Sequence, residues 1–151
     1  MPIKLVAIDI DDTLITPDLK ITEACERAIN QARAKGVKVI LATGRMFSSA
    51  LPHARKLDLA EPLICYNGAL VQSLDATSPL FHHPVPVDIA QDVVSTGEIA
   101  GLHVNIYLDD LMYVKEFNDY TRFYCSVGGV KAHPVGDLMA YMDRPPTKVL
   151  Y

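Results

Sequence analysis

Three carboxylates, Asp9, Asp11 and Asp12, fall within four residues, directly after the apolar run Ile3-Lys4-Leu5-Val6-Ala7-Ile8. Crowded carboxylates repel one another and raise each other's proton affinity, so clustering them at a strand end is costly unless a cation or a reaction employs them. The Asp-x-Asp spacing suits phosphoryl transfer through an aspartyl phosphate. One carboxylate attacks phosphorus while Mg²⁺ offsets the repulsion between that anion and the phosphate. The other, two residues on, protonates the leaving oxygen and later takes a proton from water. A calcium loop opened by Asp9 fails twice, because position six would be Leu14 where Gly is needed and position twelve Lys20 where a bidentate Glu is needed. Asp12 alone reads as a cap or turn residue; that explanation does not reach Asp9 inside the apolar strand end.

The elements that must position these groups alternate along the first half of the chain. Thr22 is an N-cap for a helix to about Lys35, closed by Gly36, with Ala24, Ala28, Ile29 and Ala32 on one face. The β-branched run Val37 to Ala42 ends at Thr43-Gly44-Arg45, a second helix covers Met46 to Leu57, and a short strand Leu63 to Tyr66 ends at Asn67-Gly68. Continuous apolar strands separated by amphipathic helices imply a parallel sheet covered on both faces, with ligands gathered beyond the strands' C-terminal ends. Asp9, Thr43 and Asn67 all fall at that end.

After Asn67 the pattern changes. A hairpin is expected from Ala69-Leu70-Val71-Gln72 and Leu80-Phe81-His82-His83, then a helix from Val87 to Ala100. The strands Val104 to Leu108 and Leu111 to Lys115 flank Asp109-Asp110, a two-residue hairpin turn. A helix near Asp119 to Val127, a short one near Asp137 to Met142 and an incipient strand at Thr147 to Tyr151 complete the chain. Phe117, Tyr120, Phe123 and Tyr124, with Tyr107 and Tyr113, are expected to build the second core. The organisation is a parallel α/β unit followed by an α+β unit, with a boundary near residues 78 to 86 and no internal repeat.

Composition narrows the partners. A chain of 151 residues with 50% hydrophobic content folds around at least one core. A net charge of -4 with scattered Lys and Arg gives no field for nucleic acid or anionic lipid. Cys25, Cys65 and Cys125 are odd in number and in apolar contexts, which reads as free thiols in a reducing compartment. No apolar stretch approaches the ~18 residues of a membrane span, and the start shows no signal-peptide core. A cytoplasmic location is expected.

Asp9-Ile10-Asp11-Asp12-Thr13-Leu14, Leu41-Ala42-Thr43-Gly44-Arg45 and Tyr66-Asn67-Gly68-Ala69, in this order and at these strand ends, resemble the haloacid dehalogenase (HAD) superfamily, specifically its Cof-type phosphatases with a large α/β cap. The resemblance covers the whole chain. It implies a Rossmann-like parallel three-layer core over residues 1–80 and the first part of an α+β cap over 81–151, both incomplete. By it, Asp9 is nucleophile and Mg²⁺ ligand, and Asp11 is general acid/base and offers its backbone carbonyl to the metal. Thr43 binds phosphoryl oxygens through its hydroxyl, helped by the Gly44 amide at a helix N-terminus. Arg45 either contacts substrate or salt-bridges across the sheet edge; Asn67 either shapes a turn with Gly68 or meets substrate. The family more often has Gly where Asp12 stands. The presence of Asp11 argues against a dehalogenase, which lacks that second acid, and the Asp-Lys-Thr-Gly-Thr pattern of P-type ATPases is absent.

The resemblance also implies a later Lys beside the nucleophile and a Gly-Asp-x-x-Asn-Asp-like loop completing the Mg²⁺ shell. Neither Lys131 nor Lys148 has the right setting, so the chain is expected to be the N-terminal portion of a longer enzyme. His82-His83 reads as a strand pair pointing to opposite faces, not a metal site. Two functions follow as expectations. One is a Mg²⁺-dependent phosphatase acting on small phosphorylated metabolites; the other is a catalytically impaired fragment that binds phosphate or self-associates through an uncovered sheet edge, as a homodimer.

Overall fold

The structure is a computed structural model describing residues 2–151. The chain divides into two compact units, one ending at Phe81 and the other running from His82 to Tyr151.

In the first unit β1 (Leu5–Ile8) pairs in parallel with β2 (Lys38–Leu41), Ile8 opposite Leu41. The strand β3 (Leu63–Cys65) joins the other side of β2 through a parallel bridge between Ala42 and Ile64. The helix α1 (Glu23–Ala34) connects β1 to β2, and α2 (Phe47–Lys56) connects β2 to β3. The Thr22 side chain accepts the Cys25 N–H at 3.2 Å and so starts α1, while Gly36 takes φ +79° where that helix ends. Then β4 (Leu70–Gln72) turns back antiparallel on β3 and is followed in the sheet by β5 (Phe81–His82), in which the boundary between units falls. Leu41 and Leu63 are fully buried, with Val39, Ala50, Ala54 and Cys65 beside them in the core.

Two expectations are corrected here. The inward stripe of α1 runs through Cys25, Ile29 and Ala32, at i, i+4 and i+7, with Ile29 buried and the other two half-buried, and Ala24 and Ala28 are exposed. The sheet is not covered on both faces at β1, where Leu5 and Ala7, which share a face, are exposed.

The second unit is a four-stranded sheet in the spatial order β8 (Ala132–Pro134), β7 (Leu111–Val114), β6 (Asn105–Leu108), β9 (Lys148–Leu150), with helices before and between the strands. After α3 (Val87–Ile99), β6 (Asn105–Leu108) and β7 (Leu111–Val114) form an antiparallel hairpin. Asp109 and Asp110 both take positive φ, 51° and 60°, as a two-residue turn between right-twisted strands demands. The helix α4 (Asp119–Gly128) opens on Asn118, whose side chain accepts the Thr121 N–H, and closes on Gly129 at φ 63°. It leads to β8 (Ala132–Pro134), parallel to β7; α5 (Leu138–Tyr141) and β9 (Lys148–Leu150), antiparallel to β6, follow.

The second core consists of Ala90 and Val94 from α3, Val104, Ile106 and Leu108 from β6 and the residue before it, Tyr113, Leu138 and Met142. The aromatic core expected from sequence is therefore corrected. Tyr107 and Tyr113 are buried, but Phe117, Tyr120 and Phe123 are 47%, 72% and 71% exposed. The face of α4 that meets the unit carries Thr121 and Tyr124, whose hydroxyl accepts from Tyr107 Oη at 2.9 Å. Burial pushes the Tyr107 phenol up, so this bond is made by a neutral hydroxyl.

Candidate active site

The ends of β1, β2 and β3 are tied to one another by backbone hydrogen bonds. The Ala42 N–H donates to the Ile8 carbonyl at 2.9 Å and the Thr43 N–H to the Ile64 carbonyl at 2.9 Å. The loops beyond are clasped as well. The Asn67 N–H donates to the Thr43 carbonyl at 3.1 Å and the Tyr66 N–H to the Arg45 carbonyl at 3.0 Å. A Cβ at Gly44 would stand 2.8 Å from Asn67 Oδ1, so a larger residue there would push the Asn67 side chain aside.

Asp9 follows β1 immediately. Its Oδ1 accepts the Ile10 N–H at 2.8 Å, and its side chain is exposed. The chain then makes one tight turn over residues 10–14, closed by the Ile15 N–H on the Ile10 carbonyl at 3.1 Å. Ile10 is fully buried and Leu14 is 3% exposed, so two apolar plugs anchor the turn and the three carboxylates between and before them stay on the outside. Asp11 is extended at φ -74° and Asp12 left-handed at φ 55°. Asp tolerates that conformation and a β-branched residue does not. Asp12→Gly should thus be nearly neutral, while Asp12→Val should cost ~1–2 kcal/mol. Urea denaturation midpoints compare the two, and equal effects would contradict the backbone assignment.

Arg45 holds Asp11 in a two-pronged pair, Nε to Oδ2 at 2.9 Å and Nη2 to Oδ1 at 2.7 Å, and its Nη1 donates to Ser49 Oγ at 3.1 Å. Of the two readings for Arg45, the ion pair is the one seen, 34 residues apart in sequence. The guanidinium hydrogen-bonded to Asp11 holds its carboxyl below the ordinary carboxylate value. That pair therefore favours the fold above the usual carboxylate range, and its contribution is lost as pH falls through the depressed value. Asp11 is half exposed, so the effect on stability is modest.

Thr43 is buried, and its Oγ1 accepts the Arg45 N–H at 3.2 Å, leaving the hydroxyl proton free to be donated. Asn67 takes φ 56° ahead of Gly68 at φ 96°, the turn geometry. Gly44 is not at the helix N-terminus as expected. Met46 is extended at φ -68°, ψ 157°, and α2 begins only at Phe47, with no side-chain cap.

Oxygen donors from Asp9 and the Asp11 carbonyl suit Mg²⁺ in kind, as that ion takes hard ligands and retains several waters. Among the described residues no three His, Cys, Asp or Glu side chains converge on one point. The chain's own residues thus fit part of a Mg²⁺ shell. Ser49 and His53 were not singled out from sequence, although they follow Arg45 at i+4 and i+8 on α2 and that spacing is the signal that finds them. Burial lowers the His53 pKa, and the Arg45 charge adds to the effect, so the ring stays neutral near pH 7.

A parallel α/β unit with an Asp-x-Asp turn and a Thr-Gly-Arg loop at the same sheet end defines the class. Residues 6–150 match the family model for haloacid dehalogenase-like hydrolases, and the chain belongs to that family. It is 31% identical over 112 residues to the pyridoxal phosphate phosphatase of Escherichia coli, covering 74% of this chain and 41% of that protein. It is 29% identical over 150 residues to the 5-amino-6-(5-phospho-D-ribitylamino)uracil phosphatase of Bacillus subtilis, covering 97% and 54%. A crystal structure of a protein from Thermotoga maritima superposes with a TM-score of 0.80 at 24% identity over 98% of this chain and 55% of that one, a likeness of fold. The chain spans about half the length of the curated relatives it matches.

Proposed function

We propose that the chain carries the nucleophile and acid/base half of a Mg²⁺-dependent phosphomonoesterase site acting on small phosphorylated metabolites. The observation that supports this most is the grouping of Asp9, Asp11 and the Thr43 loop at one end of the β1-β2-β3 sheet, with Asp11 held by Arg45 at 2.9 and 2.7 Å.

In this reading the anionic phosphate arriving beside Asp11 opposes the Arg45 charge and lets Asp11 take up a proton from solvent; an Asp9 carboxylate oxygen then attacks phosphorus, the bond from phosphorus to the leaving oxygen breaks, and Asp11 delivers that proton to the leaving oxygen. Asp11, now a carboxylate, takes a proton from the water that attacks the aspartyl phosphate, which releases phosphate and regenerates Asp9. The Thr43 hydroxyl and the Gly44 amide donate to phosphoryl oxygens, and Asn67 shapes the loop beside them. Asp9 and the Asp11 carbonyl would hold Mg²⁺, which supplies charge neutralisation between carboxylate and phosphate when bound. Two relatives are named for pyridoxal phosphate and for a phosphorylated ribitylaminouracil, so phosphomonoesters of small heterocyclic metabolites are the first substrates to screen. A cytoplasmic setting is supported by Cys25, Cys65 and Cys125 standing outside any disulfide. The test is hydrolysis of p-nitrophenyl phosphate with Mg²⁺ and with excess chelator. Turnover that needs Mg²⁺ is expected; turnover indifferent to the chelator would contradict the reading.

A second reading is favoured by one observation. Among the described residues, β1 pairs only with β2, and Ile3 and Leu5 beside its free edge are 72% and 49% exposed. Such an edge can pair with a second copy of the chain, giving a self-associating, poorly active form. Size-exclusion chromatography that returns a stable monomer with full turnover would exclude it.

A further inference from the structure

We propose that Arg45 acts through Asp11, as a positioning residue seated by Ser49, and does not bind substrate itself; the inference rests on the phosphatase reading above. All three guanidinium nitrogens donate within the unit, two to the Asp11 carboxylate and one to Ser49 Oγ. The Arg45 side chain is 13% exposed and Ser49 is buried, whereas the Asp11 side chain is 51% exposed. The buried partner thus fixes the open one.

The backbone explains why Asp11 needs such a hold. It sits in extended conformation between the buried Ile10 and the left-handed Asp12, so the main chain sets where its Cα lies but leaves the carboxylate free to rotate. A fork that engages both oxygens sets the plane of the carboxylate as well as its position, which a single hydrogen bond or a Lys ammonium cannot do. Ser49 lies in the first turn of α2, four residues after Arg45, and its hydroxyl accepts from Arg45 Nη1 and so braces the fork. An acid/base group displaced by about 1 Å can lose on the order of 10²-fold in rate.

The roles separate in a double-mutant cycle on the full chain with Mg²⁺ and p-nitrophenyl phosphate. Arg45→Ala should lower kcat by ~10- to 100-fold, with KM changed by less than about threefold. Arg45→Lys should behave like Arg45→Ala, because the charge survives and the fork does not. In an Asp11→Ala background Arg45→Ala should cost nothing further, since the group it positions is gone. Ser49→Ala should give a smaller loss in kcat that also vanishes in the Arg45→Ala background. A raised KM, or an Arg45 effect that persists in full without Asp11, would assign Arg45 to substrate and overturn the inference. If Arg45→Ala does not fold, by circular dichroism and thermal melting, Arg45→Lys and Ser49→Ala carry the same comparison. Should turnover and its loss in Asp9→Asn stand while the Arg45 and Asp11 effects add, the positioning role alone falls. Absence of Mg²⁺-dependent turnover in the unmodified chain overturns the phosphatase reading and this inference with it.

Discussion

Asp9→Asn should abolish Mg²⁺-dependent hydrolysis of p-nitrophenyl phosphate, lowering kcat by at least ~10³-fold, the scale on which removal of a covalent nucleophile acts. The substitution is well suited to the question because the structure gives the Asp9 side chain little to hold up. Its exposed carboxylate accepts one hydrogen bond, from the Ile10 N–H at 2.8 Å, and an Asn oxygen can accept the same bond. The anchors of the turn are the buried Ile10 and Leu14, which are untouched. A melting temperature close to that of the unmodified chain is therefore expected beside the loss of turnover. Retained activity in a well-folded Asp9→Asn variant would remove the nucleophile from Asp9 and with it the proposed chemistry.

The second large effect concerns stability. Ile106 is fully buried in the middle of β6, flanked by β7 and β9 and packed in the cluster with Ala90, Val94 and Leu138. Ile106→Ala should destabilise the second unit by ~2–5 kcal/mol through lost burial and the cavity left behind. Leu111, on the adjacent strand but 43% exposed, should cost under about 1 kcal/mol when changed to Ala, because less of its surface leaves water on folding. Equilibrium unfolding in urea, read by near-ultraviolet tyrosine signals, distinguishes them. Similar losses for both would contradict the core described for this unit.

The parts of the fold that were legible from residues are those with local causes. Thr22 before α1, Gly36 after it, and Asp109-Asp110 between β6 and β7 each satisfy a backbone requirement within a few residues, and such requirements are visible in sequence. The strand β8 was not legible, because Ala132-His133-Pro134 is short, contains a proline and carries no period; its pairing with β7 is a tertiary event. Phe117, Tyr120 and Phe123 misled for a related reason. Residue type records a preference for burial, whereas the face of α4 that meets the sheet is set by where Thr121 and Tyr124 fall.

The candidate site divides in the same way. The residue types and strand-end positions of Asp9, Asp11 and Thr43 pointed to their grouping. The pairing of Asp11 with Arg45 depends on side chains brought together across 34 residues and could not be read from spacing. The same holds for the start of α2. Thr43-Gly44-Arg45 resembled the entry to a helix, but the extended Met46 delays the first helical residue to Phe47.

The central claim is that Asp9 itself carries the phosphoryl group during turnover. An aspartyl phosphate is reduced by borohydride to homoserine, so the full chain can be treated with borohydride while it hydrolyses p-nitrophenyl phosphate in Mg²⁺, then digested and mapped by mass spectrometry. Homoserine at position 9, absent when substrate or Mg²⁺ is left out, is the expected result. Continued turnover with an unmodified Asp9, or with homoserine at another aspartate, would contradict it.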